Sequence, residues 1–122
     1  MGIQIVQISS AFATNSVADD TGVDLAAAAQ LEAGPVFPNV GSGNAVLIIE
    51  IDAGSTPGAY DILLEESADD STYTAVDNGA IDEATVGTTV YRNVTISERY
   101  VRMAVTEATA NAGTVSAWLL SA

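Results

Sequence analysis

Ala45-Val46-Leu47-Ile48-Ile49-Glu50-Ile51-Asp52-Ala53 decides the fold class. Leu47, Ile49 and Ile51 fall on one side of an extended chain, and Glu50 and Asp52 on the other. This period of two belongs to a strand with one buried face. The pattern continues downstream. Tyr60, Ile62 and Leu64 alternate with Asp61 and Glu65. Ser67-Ala68-Asp69-Asp70-Ser71 closes a hairpin to Thr72–Val76, and Asp77-Asn78-Gly79 reads as a turn because Asn-Gly readily takes positive φ. A strand over Thr88–Ile96 carries Val90, Val94 and Ile96 on one side. The next, Arg99–Glu107, carries Val101, Met103 and Val105. After the turn Asn111-Ala112-Gly113, Thr114–Ser121 sets Val115, Ala117 and Leu119 opposite Trp118 and Leu120.

Upstream the pattern is less regular. Residues 3–8 (Ile-Gln-Ile-Val-Gln-Ile) read as a short strand, and residues 9–22 as a loop or flexible arm. Val23 to Ala33 is either a helix capped by Asp24, with Gly34-Pro35 as its stop, or an alanine-rich strand. Pro35, Pro38 and Gly41-Ser42-Gly43 mark a connection. Seven or eight short strands, with turns every 8–12 residues, predict an all-β, antiparallel β-sandwich, jelly-roll or immunoglobulin-like. Residues 1–40 form an N-terminal strand and arm, and residues 41–122 the sandwich core of a single domain. Val, Ile and Thr suit such a fold. Large side chains are few, so the core is thin and gains from oligomerisation.

The 122 residues carry 16 acidic side chains against three arginines, a formal net charge of −13, and no lysine, histidine or cysteine. Disulfides, Cys/His zinc sites, thiol nucleophiles and imidazole acid–base chemistry are thereby excluded. The charge repels nucleic-acid phosphates and anionic membrane surfaces. No apolar run approaches the length that spans a bilayer. The start Met1-Gly2-Ile3-Gln4-Ile5 lacks signal-peptide features, which implies synthesis in a cytoplasm.

The candidate sites each carry a plainer reading. Asp19-Asp20, Glu65-Glu66 and Asp69-Asp70 are either loop ligands for Ca²⁺ or solvated turns and strand edges, and none has EF-hand spacing. As a glycosidase acid–base pair they lack any mark of a raised pKa. Arg92, Arg99 and Arg102 each find carboxylates, within the chain or across a subunit contact. Arg99 and Arg102 are expected on opposite faces of one strand, with Arg102 on the face of Tyr100. Trp118 and the tyrosines at 60, 73, 91 and 100 either form a platform for sugars or fill the core, with Trp118 expected in the core. Asn93-Val94-Thr95 matches a glycosylation sequon in mid-strand. No cofactor is expected.

Three segments together resemble small structural proteins of tailed bacteriophages. Residues 61–73 (DILLEESADDSTY) resemble a strand, an S-x-D-x-S/T turn and an aromatic. Residues 99–105 (RYVRMAV) resemble the Y-V-R strand that follows, and Thr114–Ala122 a closing strand. The resemblance, over residues 45–122, is to head decoration (cement) proteins and allied virion proteins. It implies a non-enzymatic sandwich on the outer capsid surface, bound to the major capsid protein, assembled as a homo-oligomer (trimer favoured), with no nucleic-acid or membrane partner. Ile3, Ile5, Val6, Ile8 and Arg102 are the expected partner-binding residues, the first four by adding a strand to a neighbour's sheet edge. The alternative is a carbohydrate- or surface-binding module of a phage tail or cell envelope.

Overall fold

A computed structural model of the protein describes residues 4–13, 18–25, 43–52, 60–84, 89–108 and 113–121. Ile3, the choice of helix or strand over residues 26–33, the prolines at 35 and 38, and the turn residues 54–58 and 111–112 lie outside them. The strands are β1 (Gln4–Ala13), β2 (Ala18–Asp19), β3 (Val23–Asp24), β4 (Gly43–Asp52), β5 (Tyr60–Ser67), β6 (Thr74–Ala84), β7 (Thr89–Ile96), β8 (Tyr100–Ala108) and β9 (Thr114–Ser121). They pair antiparallel in two sheets: β1-β9-β4-β7, and β2-β8-β5-β6 with β3 also on β8. The all-β antiparallel sandwich is the predicted fold class.

The strand order resolves which sandwich. β2 and β3 run consecutively along β8, with Asp20 N–H donating to the Met103 carbonyl and Leu25 N–H to the Arg99 carbonyl, each at 2.9 Å. With β2 and β3 counted as one interrupted strand, eight strands in the order 1-8-3-6 face 2-7-4-5. That is the double Greek-key winding of a jelly roll. Among the described strands only β5 and β6 form a hairpin within one sheet. The other connections cross between the sheets, so each crossing places successive apolar faces against one another.

The core lies between the sheets and is aliphatic. Leu47, Ile49, Ile51, Val115, Ala117 and Leu119 of the first sheet meet Ile62, Leu64, Val101, Met103 and Val105 of the second. The alternation read at residues 47–51 therefore holds. Leu25, just past β3, is fully buried with them, and Phe12 packs at the margin. β1 is longer than the residues 3–8 expected, because its backbone pairs with β9 from Gln4↔Ser121 to Ala13↔Thr114, through two register shifts. Val6 and Ile8 thus belong to the chain's own core.

One turn expectation is corrected. Asp77-Asn78-Gly79 does not end a strand, because β6 runs through it. Between the pairs Leu63↔Ala80 and Glu65↔Ala75 the register shifts, with the four residues Val76 to Gly79 of β6 against Leu64 of β5, so the segment is a bulge. The local reading of Asn78 was sound, since its φ is 64°. Tertiary pairing with β5 on both sides of the bulge keeps the chain in the sheet. Asn78 Nδ2 then donates to the Asn93 carbonyl of β7 at 2.9 Å, tying the edges of the two sheets together.

Gly79 allows the bulge to close on β5. A Cβ there would lie 2.9 Å from Leu64 Cβ and 3.0 Å from the Val76 carbonyl oxygen, neither of which moves without the backbone. Gly79→Ala is expected to cost about 1–3 kcal/mol by overpacking. Urea unfolding checks it, and an unchanged midpoint would show that the bulge yields freely.

Candidate functional site

The outer faces of the two sheets differ in chemistry. On the second sheet, Arg102 of β8 lies opposite Glu65 of β5 and reaches towards β2. Its Nε donates to Glu65 Oε1 at 2.9 Å, and a terminal nitrogen lies 3.3 Å from Asp19 Oδ2. The guanidinium carbon stands 3.9 Å from the centroid of the Tyr73 ring. The predicted partner-binding residue Arg102 is therefore engaged inside its own chain, where it ties β2, β5 and the β5–β6 turn to β8. Both members of the Arg102–Glu65 pair are mostly buried, which strengthens a charge-assisted hydrogen bond. Arg102→Ala is expected to cost about 2 kcal/mol, from that bond and the lost cation–π contact. Thermal melts measure it, and a melt matching the wild type would assign the cluster no structural weight.

Arg99 departs from the expected placement on the strand. It precedes β8 in a bend, and its guanidinium forks onto Asp24 of β3 at 2.8 and 2.7 Å. Arg92 faces inward on β7, and its Nε is buried without a hydrogen-bond partner among the described residues.

The acidic pairs prove structural in the same direct way. Asp69 Oδ1 accepts from Ser67 Oγ at 2.9 Å, Ser71 N–H at 2.9 Å and Thr72 N–H at 3.0 Å. Asp70 accepts from the Tyr73 hydroxyl, and a side chain at Gly22 would collide with both. Burial, followed by that bond to Asp70, raises the Tyr73 phenol above its ordinary range. Asp20 accepts from Ser9 Oγ at 2.6 Å and from Thr21 N–H at 2.7 Å. Glu66 Oε1 accepts from the backbone N–H groups of Ser97 and Glu98 at 2.7 and 3.0 Å. Asp19 and Glu65 hold Arg102. No three carboxylates converge as a metal site among the described residues.

The Asp69 turn has a pH consequence. Backbone N–H donation from Thr72 and Ser71, then the Ser67 hydroxyl, holds its carboxyl below the ordinary value. A carboxyl depressed in the folded state stabilises fully above its unfolded pKa of about 3.9, and the contribution is lost as pH falls through the lower folded value. Asp69→Asn is expected to flatten the pH dependence of melting below about pH 4 while leaving its shape at higher pH. Identical acid limbs would remove Asp69 from that transition.

The first sheet is different. Its strands carry Glu50, Asp52 and Arg92, and no other charge. The strands of the second sheet carry nine carboxylates and one arginine. Across the outer face of the first sheet run two cross-strand rows. One is Ile5–Leu120–Val46–Asn93 and the other Gln7–Trp118–Ile48–Tyr91. Neither row contains a charge. Each spans three strand spacings, about 14 Å. Ile5 is 41% exposed and Tyr91 65%, while Val46, Ile48, Trp118 and Leu120 are half-buried against one another. An apolar, aromatic-bearing patch depleted of charge has the composition of the centre of a protein interface.

These rows contain what sequence reasoning missed. Trp118 was expected in the core, but it lies on the outer face because Ala117 and Leu119 take the inward positions. Of the predicted partner-binding residues, Val6 and Ile8 are buried in the core and Ile5 is on the exposed row. The missed signal was the outward-facing positions in the first half of the decisive stretch. Val46 and Ile48 are apolar where strict alternation calls for polar residues. Comparison with protein-family models, curated proteins and solved structures finds no match to this chain.

Proposed function

We propose that the protein is a non-enzymatic head-decoration protein of a tailed bacteriophage, bound to the outer surface of the head shell and in contact with the major capsid protein. The observation that carries this reading is the division of one small sandwich into a charge-poor sheet with two uncharged rows on its outer face and a carboxylate-rich sheet. Such a molecule works by being covered on one side and left in water on the other. The jelly-roll winding supports the reading, because that fold recurs in viral shells, although it also serves lectins and enzymes. The resemblance at residues 61–73, 99–105 and 114–122 points the same way. The carboxylates of the acidic pairs hold turns and strands together, which suits a passive building block.

In this role each contact is weak, and repetition over a shell supplies avidity. The acidic sheet, left in solvent, gives particles a mutual repulsion. The protein is made in the host cytoplasm and resides on the virion. The test is co-sedimentation of purified protein with precursor and expanded head shells of a phage that carries this gene. Saturable binding to expanded shells is expected, and absence of binding to either form would refute the assignment.

A carbohydrate-binding role is the second reading, favoured by one observation: Tyr91 and Trp118 share a face in one row, two strands apart, about 10 Å. Against it, Val46, Ile48 and Leu120 offer sugar hydroxyls nothing to bond. Glycan-array binding lost in Tyr91→Ala would favour this reading over decoration.

A further inference from the structure

We infer that the outer face of the first sheet is the binding surface for a second copy of this chain, the uncharged rows of the two faces packing against each other. The inference does not rest on the decoration role: pairing in solution and binding to a shell are alternative uses of this one face. Ile5, Val46, Ile48, Tyr91, Trp118 and Leu120 form the surface, with Gln7 and Asn93 ending its rows.

The occupant follows from charge. A partner recognised through ion pairs would need charges to meet, and these two rows have none. A neutral sugar would need hydrogen-bonding groups in the middle of the patch, where Val46, Ile48 and Leu120 stand. A second copy supplies the same neutral, apolar surface, as a twofold contact requires. It also resolves an electrostatic problem. Two chains of formal charge −13 repel each other. Packed through their first sheets, they hold the acidic second sheets on opposite sides of a four-layer stack, with three intersheet spacings of about 10 Å between the outermost sheets. That distance exceeds the Debye length of about 8 Å at physiological salt several times over. Any contact through the second sheet would bring those carboxylates together instead.

The aromatic pair supplies anchors for the contact. Tyr91 and Trp118 flank Ile48 in one row, and large aromatic side chains dominate interface energetics. Asn44, whose Oδ1 accepts from Thr95 Oγ1 at 3.0 Å, continues the uncharged surface beyond the first row. Glu50, between Ser116 and Thr89 in the next row along the strands, bounds it at the other end.

Analytical ultracentrifugation of the full chain tests the inference, with far-UV circular dichroism confirming the fold of every variant. The wild type is expected to self-associate, and more tightly as salt rises from about 0.05 to about 0.5 M, because salt screens the net repulsion. Tyr91→Glu and Ile5→Glu, at the most exposed positions, are expected to weaken association at least about tenfold while the fold persists. Tyr91→Lys makes the net charge less negative, yet is expected to weaken association as well, because it places a charge in a dry contact. A wild-type monomer at about 100 µM, well above the dissociation constants of specific interfaces, would overturn the inference. So would association that weakens with salt, or that all three variants leave intact. Self-association through this face without binding to head shells would refute decoration and leave this inference standing.

Discussion

A chain lacking residues 1–10 is expected not to fold, instead of folding and losing only an adhesive arm. Read from sequence, Ile3, Ile5, Val6 and Ile8 form an isolated apolar strand ahead of a polar linker, and its removal should weaken partner binding more than it destabilises the sandwich. The structure reverses that expectation. β1 is an edge strand of the first sheet, hydrogen-bonded to β9 along its length. Val6 and Ile8 are 5% and 3% exposed. Burying each contributes about 1.5–3 kcal/mol. The deletion also strips the ladder bonds from β9 and exposes the inward faces of Ala117 and Leu119 at a new edge. It removes Ser9 as well, whose hydroxyl joins β1 to Asp20 of the second sheet. The sum reaches the total stability of a small domain, about 5–15 kcal/mol. Loss of the cooperative melt by circular dichroism is the expected result. A truncated chain melting close to the full-length protein would show that β1 is dispensable.

Leu47→Ala is expected to cost about 3–4 kcal/mol, within the range for burial of a leucine in a rigid site. Leu47 is fully buried in β4, which is flanked by β7 and β9, so no strand edge is near to relax into the cavity. For a chain of this size that corresponds to a melting temperature lower by about 10–20 °C. The adjacent residue gives the matched control. Ile48→Thr, on the outer face between Trp118 and Tyr91, keeps a β-branched side chain and leaves the core untouched. It is expected to change the melting temperature of the monomer little and to weaken self-association. Equal thermal effects of the two substitutions would mean that the sheet has no distinct inner and outer face at β4.

That contrast between neighbours separates what the chain states locally from what it leaves open. Leu47, Ile49 and Ile51 were legible as an inward face because a strand's side chains alternate by geometry alone, whatever it pairs with. The same holds for Val101, Met103 and Val105, and for Val115, Ala117 and Leu119. The hairpin through Ser67–Ser71 was legible because Asp69 and Ser67 bond their own near neighbours. Asn78 was legible as a residue of positive φ, yet its place in a bulge was not, since that depends on β5 pairing beyond it.

The sequence by itself determined most strands from Ala45 onward, their inward faces, the acidic excess and the absence of imidazole and thiol chemistry, because these depend on residue type and on contacts a few positions apart. Tertiary structure alone decided the jelly-roll order, the inclusion of β1 in the core, the capture of Arg102 by Glu65 and Asp19, and the meeting of Ile5, Val46, Ile48, Tyr91, Trp118 and Leu120 on one uncharged face. Those residues come from four strands between positions 5 and 120. Their adjacency is created by long-range pairing, for which no local propensity codes.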